Sequence, residues 1–208
     1  MNSDVALAAR IPYHEGMTLS IHFEEALIFA TRLHAGQLRK GTSTPYIAHL
    51  LAVAGIVLDY GGTEAEAIAA LLHDAVEDQG GPPTREEIRR RFGDEVVAIV
   101  DGCSDTDQVP KPPWQARKET YLAGLGHESA SVRLVSAADK LHNARDILAA
   151  YRSLGEALWG RFNGGRAGTL WYYRALVDVY RATDTVPALV DELDRAVTDL
   201  ERLAAQAT

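Results

Sequence analysis

Thr63-Glu64-Ala65-Glu66-Ala67-Ile68-Ala69-Ala70-Leu71-Leu72-His73-Asp74-Ala75-Val76-Glu77-Asp78 is the stretch from which the fold can be read. Its first four residues form a capping-box pattern, in which a threonine side chain and a glutamate side chain satisfy each other's backbone N–H groups at a helix start. The helix so begun runs through Ile68, Leu71 and Leu72 to an adjacent histidine and aspartate. Imidazole and carboxylate side by side at a helix end suit a divalent metal. Glu77 and Asp78 add negative charge just where the apolar run stops. Acids at that end of a helix oppose its dipole, and such a cluster is costly unless a cation or water balances it.

Outward from this stretch the pattern stays helical, which predicts an all-α fold. Ser20 caps a helix through Leu27, Ala30 and Leu33 that ends near Gly36, with Glu24 and Glu25 in its early turns. Gly41-Thr42-Ser43-Thr44 reads as a loop, and Pro45 suits the first turn of a helix over residues 46–60, stopped by Gly61-Gly62. A second capping box, Thr84-Arg85-Glu86-Glu87, follows the break at Gly80-Gly81-Pro82-Pro83 and opens a short helix ending at Gly93. Val96, Val97, Ile99 and Val100 fit helix or strand by periodicity and are read as helix. Residues 102–113 form a polar, proline-bearing loop long enough to act as a lid. Helices are then expected over residues 114–125, exposing Arg117 and Lys118, over 131–151, and over about 170–180 and 186–205. No repeat, low-complexity tract or convincing hairpin interrupts them. Residues 1–19 read as a loosely attached lead-in, and 20–208 as one domain.

A chain of 208 residues, 47% hydrophobic and 24% charged, suits one cored domain rather than two. Its single cysteine, Cys103, excludes an internal disulfide and a thiolate zinc site, and fits a reducing cytosol. The first residues lack a basic stretch followed by an apolar core, and no apolar run approaches membrane-spanning length, so a soluble cytoplasmic protein is expected, with no membrane partner. A net charge of -8 argues against a general grip on nucleic-acid phosphates. A small anion needs only a local basic patch, for which Arg39-Lys40, Arg117-Lys118 and Lys140 with Arg145 are the candidates.

Asp139 and Asn143 stand four apart on one predicted helix and share a face, flanked by Lys140 and Arg145. Pro45-Tyr46-Ile47-Ala48-His49 places another histidine near the start of an apolar helix. If the fold brings them together, His49, His73, Asp74 and Asp139 make a sulfur-free metal shell that suits manganese first and ferrous iron next, ahead of zinc or magnesium. The ion would acidify water and polarise a phosphoryl oxygen, with Glu77 and Asp78 placed to orient or deprotonate the water. Hydrolysis is the natural reaction class.

The arrangement resembles the HD phosphohydrolase superfamily, and within it the hydrolase domain of the RelA/SpoT alarmone enzymes and the stand-alone small alarmone hydrolases. The blocks that carry the resemblance occur in family order. They are His34-Ala35-Gly36-Gln37-Leu38-Arg39-Lys40, Pro45-Tyr46-Ile47-Ala48-His49, Ala70-Leu71-Leu72-His73-Asp74-Ala75-Val76-Glu77-Asp78, Phe92-Gly93, and Ala138-Asp139-Lys140-Leu141-His142-Asn143-Ala144-Arg145. The resemblance implies an HD-type helical domain with a metal site between helices. It makes His49, His73, Asp74 and Asp139 manganese ligands, Glu77 and Asp78 the water-activating pair, and Arg39, Lys40 and Asn143 the grip on guanine nucleotide or phosphate. The reaction it implies is removal of the 3′-pyrophosphate of ppGpp or pppGpp, a small nucleotide substrate. Too little chain remains for a synthetase domain, so the stand-alone class is the closer comparison. Departures include Leu50 after the first ligand histidine, the loop Gly41 to Thr44, and Asp146 after Arg145.

Plainer readings stand beside these. His34 is a core histidine as readily as a partner of the site, His142 reads as structural or surface, and Arg117-Lys118 as a solvated pair. Tyr46 lines the pocket or packs in the core, while Trp159, Trp171, Tyr172 and Tyr173 seal the C-terminal helices. The Trp114 segment and Asn163-Gly164-Gly165-Arg166 carry no role by resemblance. Two rival functions remain: the same metal chemistry on NADPH, adenosine alarmones or another phosphorylated nucleotide, and a catalytically silent nucleotide-sensing module.

Overall fold

The computed structural model describes residues 18–105 and 110–206, and within them the only bridge between extended segments pairs Leu38 with Pro45. The predicted lead-in therefore lies almost wholly outside the described residues, as do positions 106–109 of the predicted lid. The helices are α1 (Ile21–Leu33), α2 (Ile47–Asp59), α3 (Glu64–Leu72), the single turn α4 (Ala75–Asp78), α5 (Pro82–Cys103), α6 (Trp114–Leu125), α7 (Ala130–Leu154), α8 (Gly165–Ala182) and α9 (Pro187–Gln206). A 3₁₀ turn, Gly155–Arg161, joins α7 to α8.

α3 is the centre. Every residue from Ala67 to Leu72 is buried, so beyond its first turn this helix has no solvent face, and α1, α2, α5 and α7 close around it. Its alanines at 67, 69 and 70 let those neighbours approach. The capping box forms as expected: Glu66 N–H donates to the Thr63 hydroxyl at 3.3 Å and Thr63 N–H to the Glu66 carboxylate at 2.7 Å. Ser20 likewise caps α1 by accepting from His22 N–H at 3.1 Å. α7 is the second spine, packed on α2, α3, α5, α8 and α9. α9 is amphipathic by contrast, burying Leu189, Val190, Leu193, Val197 and Leu200 along one stripe.

Three local expectations change. Thr84 is not a cap: Pro82 and Pro83 occupy the first helical turn, where a missing N–H costs nothing, and the Thr84 hydroxyl donates back to Gln79 O at 2.5 Å. Gly93, with φ 89°, breaks the helical geometry as expected, but the chain resumes at once, so two helical arms meet at a kink within α5. α8 begins at Gly165, earlier than the predicted 170, because glycine-rich sequence there hides a helix whose side is shaped to receive a neighbour. No helix among the described residues is long and apolar enough to cross a membrane.

Candidate metal centre

α2, the end of α3 and α7 each supply part of one cluster. One donor atom from each of His49, His73 and Asp74 lies within 4.8 Å of the other two. Asp139 Oδ1 closes the group from α7, 3.2 Å from His49 Nε2 and 3.6 Å from His73 Nε2. His49, His73 and Asp139 are buried. His73 Nδ1 lies 2.8 Å from Ala70 O, an acceptor, so that nitrogen carries a proton and Nε2 is the one left to face a metal. His73 Nε2 is buried and, although 3.0 Å from Asp74 Oδ2, meets no hydrogen-bonding geometry. An orphaned imidazole nitrogen facing two carboxylates and a second imidazole fits a divalent metal.

The surroundings orient each donor. Tyr46 OH donates to Asp74 Oδ2 at 2.6 Å, and burial followed by Asp74 raises its pKa far above that of a free phenol, so it stays a donor. Its ring stacks on His34, 5.2 Å between centroids. Asn143 donates to Asp139 Oδ1 at 2.5 Å and accepts from Arg39 at 2.8 Å. Burial pushes the Asp139 carboxyl towards its neutral form, but Lys140 and the two imidazoles outweigh it and hold the group ionised. His49 has its second nitrogen, Nδ1, 2.9 Å from His142 Nδ1. Asp139, His142, Asn143 and Asp146 thus form one polar stripe at intervals of three and four along α7.

Two adjoining cavities open beside the cluster. The metal-side cavity, about 220 Å³, is bounded by Arg39, Tyr46, Asp74, Glu77, Lys118, Asp139, Lys140 and Asn143 among others. The far cavity, about 250 Å³, shares Lys118, Lys140, Asn143 and Tyr172 with it and adds Lys40, Trp114, Phe162, Asn163, Thr169 and Tyr173. Of the expected acids, Glu77 lines the cleft and is paired with Lys111 at 2.5 Å, whereas Asp78 does not line it and accepts from Gln37 at 2.8 Å. Arg145 is not brought to the cleft; it pairs with Glu192 of α9 on the outer surface. Arg117 and Lys118 are not a solvated pair. Both are mostly covered and bind Asp105, and Lys118 faces both cavities. His142, read as structural or surface, packs partly buried against His49 on the face it shares with Asp139.

The HD domain profile matches residues 26–169, which contain all four clustered side chains. This chain belongs to the HD domain family. Among its relatives, guanosine-3′,5′-bis(diphosphate) 3′-pyrophosphohydrolase MESH1 of Xenopus tropicalis is 43% identical over 126 residues, 59% of this chain and 68% of that protein. A GTP pyrophosphokinase of Myxococcus xanthus is 33% identical over 141 residues, 65% of this chain but 18% of that much longer protein. The solved structure of a metazoan SpoT ortholog, described as hydrolysing ppGpp, superposes with a TM-score of 0.70 at 28% identity, covering 86% of this chain and 97% of that one.

Proposed function

We propose that this chain hydrolyses the 3′-pyrophosphate of guanosine tetra- or pentaphosphate, giving GDP or GTP and pyrophosphate, as a cytoplasmic enzyme. The observation that carries the reading is a sulfur-free His/His/Asp cluster, with Asp139 against it, opening directly into a lysine-lined cleft. The names of the Xenopus and metazoan relatives support the same substrate. His49, His73, Asp74 and Asp139 would hold manganese, one of the ions, with ferrous iron, that a mixed shell of two imidazoles and two carboxylates suits. When bound, the ion supplies Lewis acidity, drawing charge from a phosphoryl oxygen and making water a stronger acid.

The chain's own groups do the rest. Glu77 takes a proton from the attacking water, and Asp78, held by Gln37 one residue on, assists it. Water oxygen bonds to the phosphorus attached to O3′, the P–O3′ bond breaks, and the proton returns to O3′, freeing pyrophosphate. Lys118 and Lys140 offset the charge that builds on the phosphoryl oxygens. Arg39, Lys40 and Asn143 hold the nucleotide, and Tyr46 keeps Asp74 aimed at the ion.

Product analysis tests the reading: metal-loaded protein is incubated with ppGpp, pppGpp, pppApp and NADPH. Pyrophosphate released with GDP or GTP is expected. Cleavage confined to pppApp or NADPH would move the substrate, and nucleotide binding with no product under manganese or ferrous iron would leave a sensor.

A further inference from the structure

The geometry points to the far cavity as the seat of the nucleoside, with Phe162 and Asn163 as the side chains that hold and select the base; this rests on the hydrolase reading above. The two cavities differ in chemistry. The metal-side one presents almost only polar atoms, as suits phosphate, whereas the far one presents polar and apolar atoms about equally. A nucleobase has that dual character, with an apolar face for rings and a hydrogen-bonding edge for amides. Trp114, Phe162 and Tyr173 supply the rings, and Asn163 supplies an amide at the exposed mouth. At about 250 Å³ the far cavity is small beside the roughly 300–1,000 Å³ usual for ligand sites, so a nucleotide seated there must extend its phosphates past Lys118 and Lys140 towards the metal cluster.

The compartment is built rather than incidental. A Cβ on Gly164 would lie 2.6 Å from the Trp114 indole and one on Gly168 3.0 Å from it, so α8 keeps a notch into which the ring is set. Trp171 and Tyr172 meet the indole edge-on at 6.3 and 6.2 Å, fixing its tilt. Lys118 Nζ stands 4.9 Å from the centre of the Tyr172 ring at the junction of the cavities. Phe162, packed on Trp159 at 6.3 Å, is half-buried and ready to stack without reordering. Of the stretch Asn163-Gly164-Gly165-Arg166, the first two residues thereby gain a part: Asn163 supplies the amide and Gly164 the notch, just after the Phe162 ring.

The test is equilibrium binding of GDP and ADP to the chelated protein, followed by tryptophan fluorescence, since Trp114 lines the seat. Phe162→Ala is expected to weaken binding about tenfold or more, and Phe162→Tyr to restore it. Asn163→Ala is expected to shift the GDP-to-ADP affinity ratio about two- to tenfold, the effect of one hydrogen bond. Thermal melts establish that each variant is folded. Wild-type affinity and ratio in both alanine variants would overturn the seat. Were ppGpp turned over with unchanged KM in both, the reaction would stand and the seat fall; were GDP binding lost in Phe162→Ala while wild-type protein releases no pyrophosphate, the seat would stand and the hydrolase reading fall.

Discussion

The two ends of the cleft are made differently. At the metal end, His73 and Asp74 are neighbours in sequence, Asp139 and Asn143 are one helical turn apart, and every donor is held by a backbone carbonyl or a second side chain. At the far end, Trp114 comes from α6 while Phe162, Asn163 and Tyr173 come from the turn before α8 and from α8 itself, and they are held by shape. Directional bonds define the first end and ring packing the second. An end fixed by directional bonds should fail abruptly when one group changes, whereas an end fixed by packing should lose affinity and stability in steps.

The largest effects belong to the metal end. His73→Ala removes a buried donor whose Nε2 has no other partner, so both manganese binding, followed by electron paramagnetic resonance, and turnover should vanish. Asp78→Asn should separate the two: metal binding persists while turnover drops by about 10²–10⁴, the usual worth of acid–base assistance. Undiminished turnover in Asp78→Asn would remove it from the reaction and leave Glu77 alone as the base.

How much could be read in advance follows the same division. The capping box at Thr63, the His73-Asp74 pair and the Asp139-x-x-x-Asn143 spacing are local signals, and each lies where its spacing implied. Gly93 was legible because a glycine between two helical segments needs only its own backbone freedom. Lys118 was not, because its partner Asp105 lies across a loop and no periodicity links them. Nor was Trp114, whose contacts depend on two glycines about fifty residues away that show in the sequence only as poor helix formers. Arg145 misled for the converse reason: it stands beside the polar stripe in sequence but points about a third of a turn away, to Glu192.

His142 gives an intermediate effect at the metal end. If His49 Nε2 faces the ion, its Nδ1 must carry the proton and His142 Nδ1 must accept it across 2.9 Å. His142→Ala should weaken manganese affinity about 10- to 100-fold without lowering the melting temperature of chelated protein to match. An unchanged metal affinity would make the contact one of packing only. At the far end, Gly164→Ala puts a Cβ 2.6 Å from the indole and should cost about 1–3 kcal/mol in denaturant melts. Gly160→Ala, where nothing stands within 4 Å, is the matched control and should cost little.

The smallest effect is one of pH, at the carboxylate that joins the two ends by holding Lys118. Burial favours the neutral form of Asp105, but Lys118 and Arg117 outweigh it and hold its pKa below the ordinary value. A carboxyl depressed in the folded state contributes stability that is complete above its unfolded pKa of about 3.9 and is lost as pH falls through the folded value. The difference in melting temperature between wild type and Asp105→Asn should therefore be level from about pH 5 to 8 and shrink below about pH 4. Chelated protein is the right material, because protonation of the clustered ligands would otherwise release metal in the same window. A difference that grew on acidification would mean that Asp105 is held neutral by burial, and that Lys118 faces the phosphates without a carboxylate behind it.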